Sequence, residues 1–218
     1  MATDIKSLKD KQDSLVVMAR DAAVLAAPYG TVIPAGITTD PVGNLMSLPS
    51  GWGSVGELDQ QAGITITPDL QTAEVNGYGS MGARRVVVTK ETVTVGFTAQ
   101  ESRALNLEMF WGGDFKNKTP DANGEVVVKR GYESTLKYWS LLIIGQDDNE
   151  FGRVLDYWVF PKVTITSKEA VKLGQEEALV YPLTFTAFED ATYGGYVGVG
   201  QAGVGFTATA LTAGYDNT

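Results

Sequence analysis

Histidine and cysteine are absent from this 218-residue chain. Without cysteine there is no disulfide framework, no thiolate nucleophile and no zinc–thiolate site. Without histidine the commonest general base and metal ligand is missing, and Ser-His-Asp chemistry is unavailable. No apolar run approaches the ~20 residues of a membrane span. The best leader-like stretch, 15–27, is broken by Arg20 and Asp21, so no export signal is read. The expectations are synthesis in the cytoplasm, no membrane insertion by this chain, and no metal or cofactor. What is present is an ordinary globular balance, 44% apolar and 20% charged, enough for one sizeable core or two small ones.

Lysine and arginine are missing from two long segments, 21–83 and 173–218, which carry −6 and −5 and so hold all the excess negative charge; the remainder is +2, for a net charge of −9. The first holds six acids: Asp21, Asp40, Glu57, Asp59, Asp69 and Glu74. The acidic balance argues against a protein that grips a nucleic-acid backbone. Two readings of the segregation stand side by side: solubility, or a face or channel that repels polyanions.

Residues 4–13 read as a short helix or a mobile arm. Residues 22–26 are a short apolar strand ending at Pro28. Across 34–63 three prolines and six glycines predict little regular structure. A loop of that length is functional, disordered or ordered by a partner. Its Leu45, Met46, Leu48 and Trp52 favour ordering by a partner. Strands are expected at 64–67, 86–97, 126–129, 136–144, 153–160, 163–167 and 178–188, with a turn at 146–150. One helix is expected over roughly 99–111, opened by a Thr98/Glu101 capping box and closed at Gly112. The tail, 194–218, reads as an extended arm or partly disordered. Seven or eight strands and one helix predict an antiparallel β-sandwich or barrel with a helix on its flank.

Four motifs suggest chemistry only weakly. Gly198-Val-Gly200-Gln-Ala-Gly203 fits GxGxxG, but a dinucleotide site needs a helix and a second strand after it. Asp147-Asp148-Asn149-Glu150 lacks the ligand spacing of a calcium loop and reads as a hairpin turn. Glu101 and Glu108 lie seven apart on the expected helix, hence on one face, and could form a glycosidase pair, but Glu101 already has the capping role. Arg84-Arg85 precedes an apolar strand, either as gatekeepers against aggregation or as a subunit contact with an acidic segment.

One ordered set of segments carries more. It runs Ala23-Val-Leu-Ala-Ala-Pro28-Tyr-Gly-Thr-Val-Ile-Pro34, Gly51-Trp52-Gly-Ser-Val-Gly56-Glu-Leu-Asp59, Gly63-Ile-Thr-Ile-Thr67 and Arg85-Val-Val-Val-Thr89. It continues with Val95-Gly-Phe97-Thr-Ala-Gln-Glu101, Phe160-Pro-Lys-Val163, Tyr181-Pro-Leu-Thr-Phe-Thr-Ala187 and Asp190. In order and spacing, over about residues 20–206, this resembles the major tail tube protein of long, non-contractile-tailed bacteriophages, especially those of actinobacteria.

The resemblance implies a single tail tube domain, 1–218, of two packed antiparallel sheets with a flanking helix. Its other parts would be an N-terminal arm (1–20), a long loop (34–63) and a C-terminal arm (194–218). No additional immunoglobulin-like domain is expected. Six copies would close into a ring and rings would stack into a hollow virion tail tube, passing phage DNA without binding it specifically. The expected partners are the chain itself, a tape measure protein, a tail terminator and a distal tail protein. Trp52, Leu45, Met46 and Leu48 are the expected inter-ring residues. Glu57, Asp59, Asp69 and Glu74 are candidate lumen or inter-ring acids, and Arg84 and Arg85 a candidate subunit contact. The expected role is structural, not enzymatic. The alternatives are another virion part of similar fold (tail terminator, head decoration or baseplate protein) or a carbohydrate-binding domain.

Overall fold

A computed structural model of the chain describes residues 4–79, 81–131, 136–175 and 177–216. Its order is α1 (Ile5–Leu8), β1 (Asp21–Pro28), β2 (Gly53–Ser54), β3 (Ile64–Asn76), β4 (Ala83–Ala99), α2 (Ala104–Trp111), β5 (Tyr138–Asn149), β6 (Gly152–Lys168), β7 (Tyr181–Ala187), β8 (Gly198–Ala202) and α3 (Val204–Thr209). Every strand pairing is antiparallel, in the order β2-β1-β5-β6-β7-β4-β3, with β8 added to β6. The expected mainly-β, antiparallel architecture with a flanking helix is present.

Alternation decides which face each strand buries. In β7, Tyr181, Leu183, Phe185 and Ala187 are buried while Pro182, Thr184 and Thr186 are half-buried. In β4 the buried set is Val93, Val95, Phe97 and Ala99. These side chains meet Val24, Leu141, Phe160, Val163 and the inner side of α2 (Met109, Phe110) in one core. The Phe97 and Phe185 rings stack at 5.5 Å between centroids. Strands from both ends of the sheet order share that core, so the sheet curls around it.

The middle strands are buried on both faces. Residues 139–145 of β5 are all buried, which is why that stretch reads as a continuous apolar run instead of an alternating one. The second face, with Leu142, Ile144, Leu155 and Val159, is covered by Ile33, Ile37, Leu48 and Trp52. Loop 34–63 is mostly irregular, as expected, and part of it roofs this outer face.

Several elements differ from expectation for identifiable reasons. The helix begins at Ala104, not near residue 99. Thr98 and Ala99 belong to β4, and Glu101 Oε1 accepts from the Glu57 N–H, so no capping box forms. Its expected end is correct: Gly112 takes a left-handed φ of 79° and donates its N–H to Glu108 O. Residues 126–129 form no strand; Val128 instead lies over Gly113, where a Cβ would collide with it. The turn is only Glu150-Phe151, since Asp147 and Asp148 are still in β5. The two strands expected at 153–160 and 163–167 are one, with a register shift opposite Trp139–Leu141. The described part of the tail contains β8 and α3, with Gly205 and Thr209 of α3 buried.

Candidate assembly surfaces

The β3–β4 hairpin outgrows the body. β7 pairs with β4 only over Thr94–Ala99, while β3 and β4 go on pairing from Asp69↔Thr92 to Asn76↔Ala83. The strand residues 69–76 and 83–92 are therefore a two-stranded ribbon, with no third strand on either side among the described residues. Apart from half-buried Thr92, its strand residues are exposed, and the exposed set includes Leu70, Val75, Val86, Val87 and Val88. At the tip, Tyr78 and Met81 are fully accessible. Val and Thr hold the ribbon extended, but a lone two-stranded ribbon is marginal in water. Both faces of the ribbon thus mix exposed apolar side chains with charged ones, among them Asp69, Glu74, Lys90 and Glu91.

The register separates the candidate acids. Asp69 and Glu74 are five apart on one strand and leave opposite faces. Asp69 shares its face with Thr92 and Lys90, Glu74 with Val86 and Glu91. Arg84 and Arg85 lie on the β4 arm near the tip. None of the ion pairs among the described residues involves them. The Arg84 side chain crosses Gly77, where any Cβ would meet it.

Glu57 and Asp59 sit at the other end of β3, in a segment that nearly closes the curled sheet. Gly53 and Ser54 pair with β1, and Val55 N–H donates to Val24 O. Four residues later Asp59 N–H donates to Thr98 O, and Gln100 N–H to Glu57 O. Asn106, wholly buried on α2, clamps this strap by donating to Val55 O and Glu101 O, both at 2.7 Å. Asparagine in a helix gave no sequence signal for that role. Asp59 is held below the usual aspartate range, first by the Ala62 N–H and then by Gln100. Beyond the strap the seam stays open as a cleft of about 740 Å³, with Ile64, Ile66, Ile143 and Trp158 on its floor and Asp21, Glu57 and Asp59 among its lining.

The loop residues separate too. Leu45 is exposed, and Met46 and Leu48 are half-buried. Trp52 is half-buried in its own subunit against the Leu142–Leu155 cluster, and its Nε1–H donates to Val32 O at 2.9 Å. Trp52→Ala is expected to destabilise the monomer by about 2 kcal/mol, read as an earlier denaturant midpoint. An unchanged midpoint with assembly lost would instead place its main contact in another copy.

The N-terminal segment is tied to the β5–β6 hairpin. Arg20 N–H donates to Gln146 O, and Met18 N–H donates to Asp147 Oδ2 at 2.7 Å. Arg20 pairs with the same carboxylate at 3.2 Å. The Met18 N–H above all, with the Asp148 N–H and the Arg20 charge, holds Asp147 below the usual aspartate range. A carboxyl depressed on folding stabilises above its unfolded value, about 3.9, and that contribution fades as the pH falls below it. Acidification below about pH 4 is thus expected to release residues 14–20, seen as lost hydrogen-exchange protection at Met18. In Asp147→Asn the Met18 protection should not respond to pH over this range.

The weak chemical motifs dissolve. GxGxxG spans β8 and the Gly203 turn; Tyr193 and Tyr157 lie where Cβ atoms of Gly198 and Gly200 would project. Glu101 pairs with Arg103, and Glu108 with Lys137 at 2.9 Å, so each carboxylate is engaged by a cation of its own. No cluster of three or more metal-ligating side chains occurs among the described residues, and none of their helices is long and apolar enough to cross a membrane.

A family model described as "Phage tail tube protein" matches residues 10–196. The chain belongs to the phage tail tube protein family. The tail tube chain has distant likenesses among solved structures. The tail of an empty gene transfer agent particle, refined with C6 symmetry, is 11% identical over 65% of this chain and 84% of that one, at a TM-score of 0.36. The six-fold symmetrised baseplate of the anti-feeding prophage is 9% identical over 87% and 97%, at 0.43. The Hcp protein is 10% identical over 84% and 99%, at 0.32. No curated protein matches the sequence. This tail tube protein is a structural component of the phage tail.

Proposed function

We propose that this tail tube protein closes into six-membered rings that stack into the hollow tube of a long, non-contractile phage tail, residues 1–218 acting as one domain. The observation that carries the reading is the ribbon of 69–76 and 83–92, whose two outer edges have no strand partner among the described residues and whose faces are exposed. Ring closure is the arrangement that pairs such edges without leaving a free one. Six is the copy number the sequence resemblance implies.

The bore wall follows from the sheet face opposite the core. Thr67, Thr94, Thr186 and Thr164 stand in one register row across β3, β4, β7 and β6. Thr166 and Thr186 share a hydroxyl–hydroxyl bond of 2.9 Å. The accessible threonines of this row, Thr67, Thr94 and Thr186, offer duplex DNA no cation, and farther along the same face Lys90 is accompanied by Asp69. Asp69 lies on this face; Glu74 faces away from the bore. Exposed Leu45 supports a contact role for loop 34–63, and the tape measure, terminator and distal tail proteins are the further partners. Negative-stain imaging of purified protein should show six-fold rings or tubes. A strict monomer at high concentration, even with the other tail proteins added, overturns the reading.

A further inference from the structure

The tip of the ribbon and the open seam are complementary in charge and in apolar surface, and they lie at opposite ends of one strand. β3 begins at Ile64 on the cleft floor and ends at Asn76 beside the tip. Thirteen residues of antiparallel strand span about 40 Å. The cleft cannot be filled by its own tip at that distance. A second copy displaced along the strand by about that length would present its cleft to the first copy's tip.

The tip carries Arg84 and Arg85 with no ion pair among the described residues, beside the fully accessible Tyr78 and Met81. The cleft offers an apolar floor of Ile64, Ile66, Ile143 and Trp158 under exposed Asp21 and Glu57. The cation in the cleft, Arg20, is already paired with Asp147. Segment 21–83 holds no basic residue, so Arg84 and Arg85 are the first cations to follow the acids of the cleft in sequence.

We infer that the ribbon tip of one subunit seats in the β1–β3 cleft of the next subunit along the tube axis, with Arg84 and Arg85 against Asp21 and Glu57 and with Tyr78 and Met81 on the apolar floor. The contact is heterologous: donor and acceptor are different surfaces, so it repeats without closing. It rests on the tube reading above and names the axial partner of the ribbon.

The absence of native cysteine makes the test clean. A Met81→Cys/Glu57→Cys chain, assembled and oxidised, should run on non-reducing gels as a ladder extending beyond six subunits, while each single variant gives dimers at most. A ladder stopping at six marks a lateral neighbour, and both thiols consumed at monomer mass marks a tip folded on its own cleft; either overturns the axial contact. Normal tubes without cross-links also overturn it, while leaving the tube reading intact. An unsubstituted chain that never assembles defeats the tube reading itself. Independently, Arg84→Glu/Arg85→Glu should leave rings but abolish tubes, and adding Asp21→Lys/Glu57→Lys to the same chain should restore them. Tubes of normal length from the double variant, or no rescue in the quadruple one, count against the contact.

Discussion

Cutting out the ribbon should leave a folded monomer that forms neither rings nor tubes. Asp69 and Thr92 face each other in register, so residues 70–91 can be replaced by Asn-Gly, the tight turn that suits a two-residue hairpin. The core is untouched, because its β3 and β4 members, Ile64, Ile66, Val93, Val95 and Phe97, lie outside the excised stretch. The expected result is a single cooperative thermal transition close to that of the parent monomer, with a sedimentation profile that stays monomeric at every concentration tested. Loss of the transition would mean that the ribbon belongs to the folding core; persistence of rings would mean that subunits meet elsewhere.

The second large effect is on stability. Phe185 is fully buried at the centre of β7, stacked on Phe97 and surrounded by core side chains. Phe185→Ala removes a ring that the close-packed interior cannot refill, costing about 3–5 kcal/mol. Against a total stability of roughly 5–15 kcal/mol, that is a large fraction. For a chain of this size it should lower Tm by about 10 °C. The measurement belongs in the ribbon-excised background, since assembly stabilises the folded state by mass action and would mask the loss. A shift under about 2 °C would show that the site collapses around the smaller side chain.

The elements visible in the sequence are those whose local pattern agrees with their surroundings. β7 and the inner half of β4 alternate because one face is buried and the other is not. The helix end is visible because Gly112 alone can take its conformation cheaply. The helix start is not, because Glu101 is drawn away by two partners distant from a capping role, Glu57 N–H and Arg103. β8 looks like a flexible glycine tail because its glycines make room for Tyr193 and Tyr157, which are remote or indistinct in sequence. The ribbon was half visible. Residues 86–97 have strand composition, but the arm 68–76 mixes acids, Gln and Asn on exposed faces, where burial imposes no alternation. Trp52 stood out in a proline- and glycine-rich loop, yet the cluster that holds it is assembled from β5 and β6, about a hundred residues away.

The arrangement of β3, with its protruding tip at one terminus and the seam at the other, gives any polymer built on it a direction. A finished filament would show a crown of arginine-bearing fingers at one extremity and a circle of vacant acidic sockets at the other. The two extremities therefore require unlike caps. Nothing in such a repeating contact would count subunits, so a filament built on it would need another molecule to set its length.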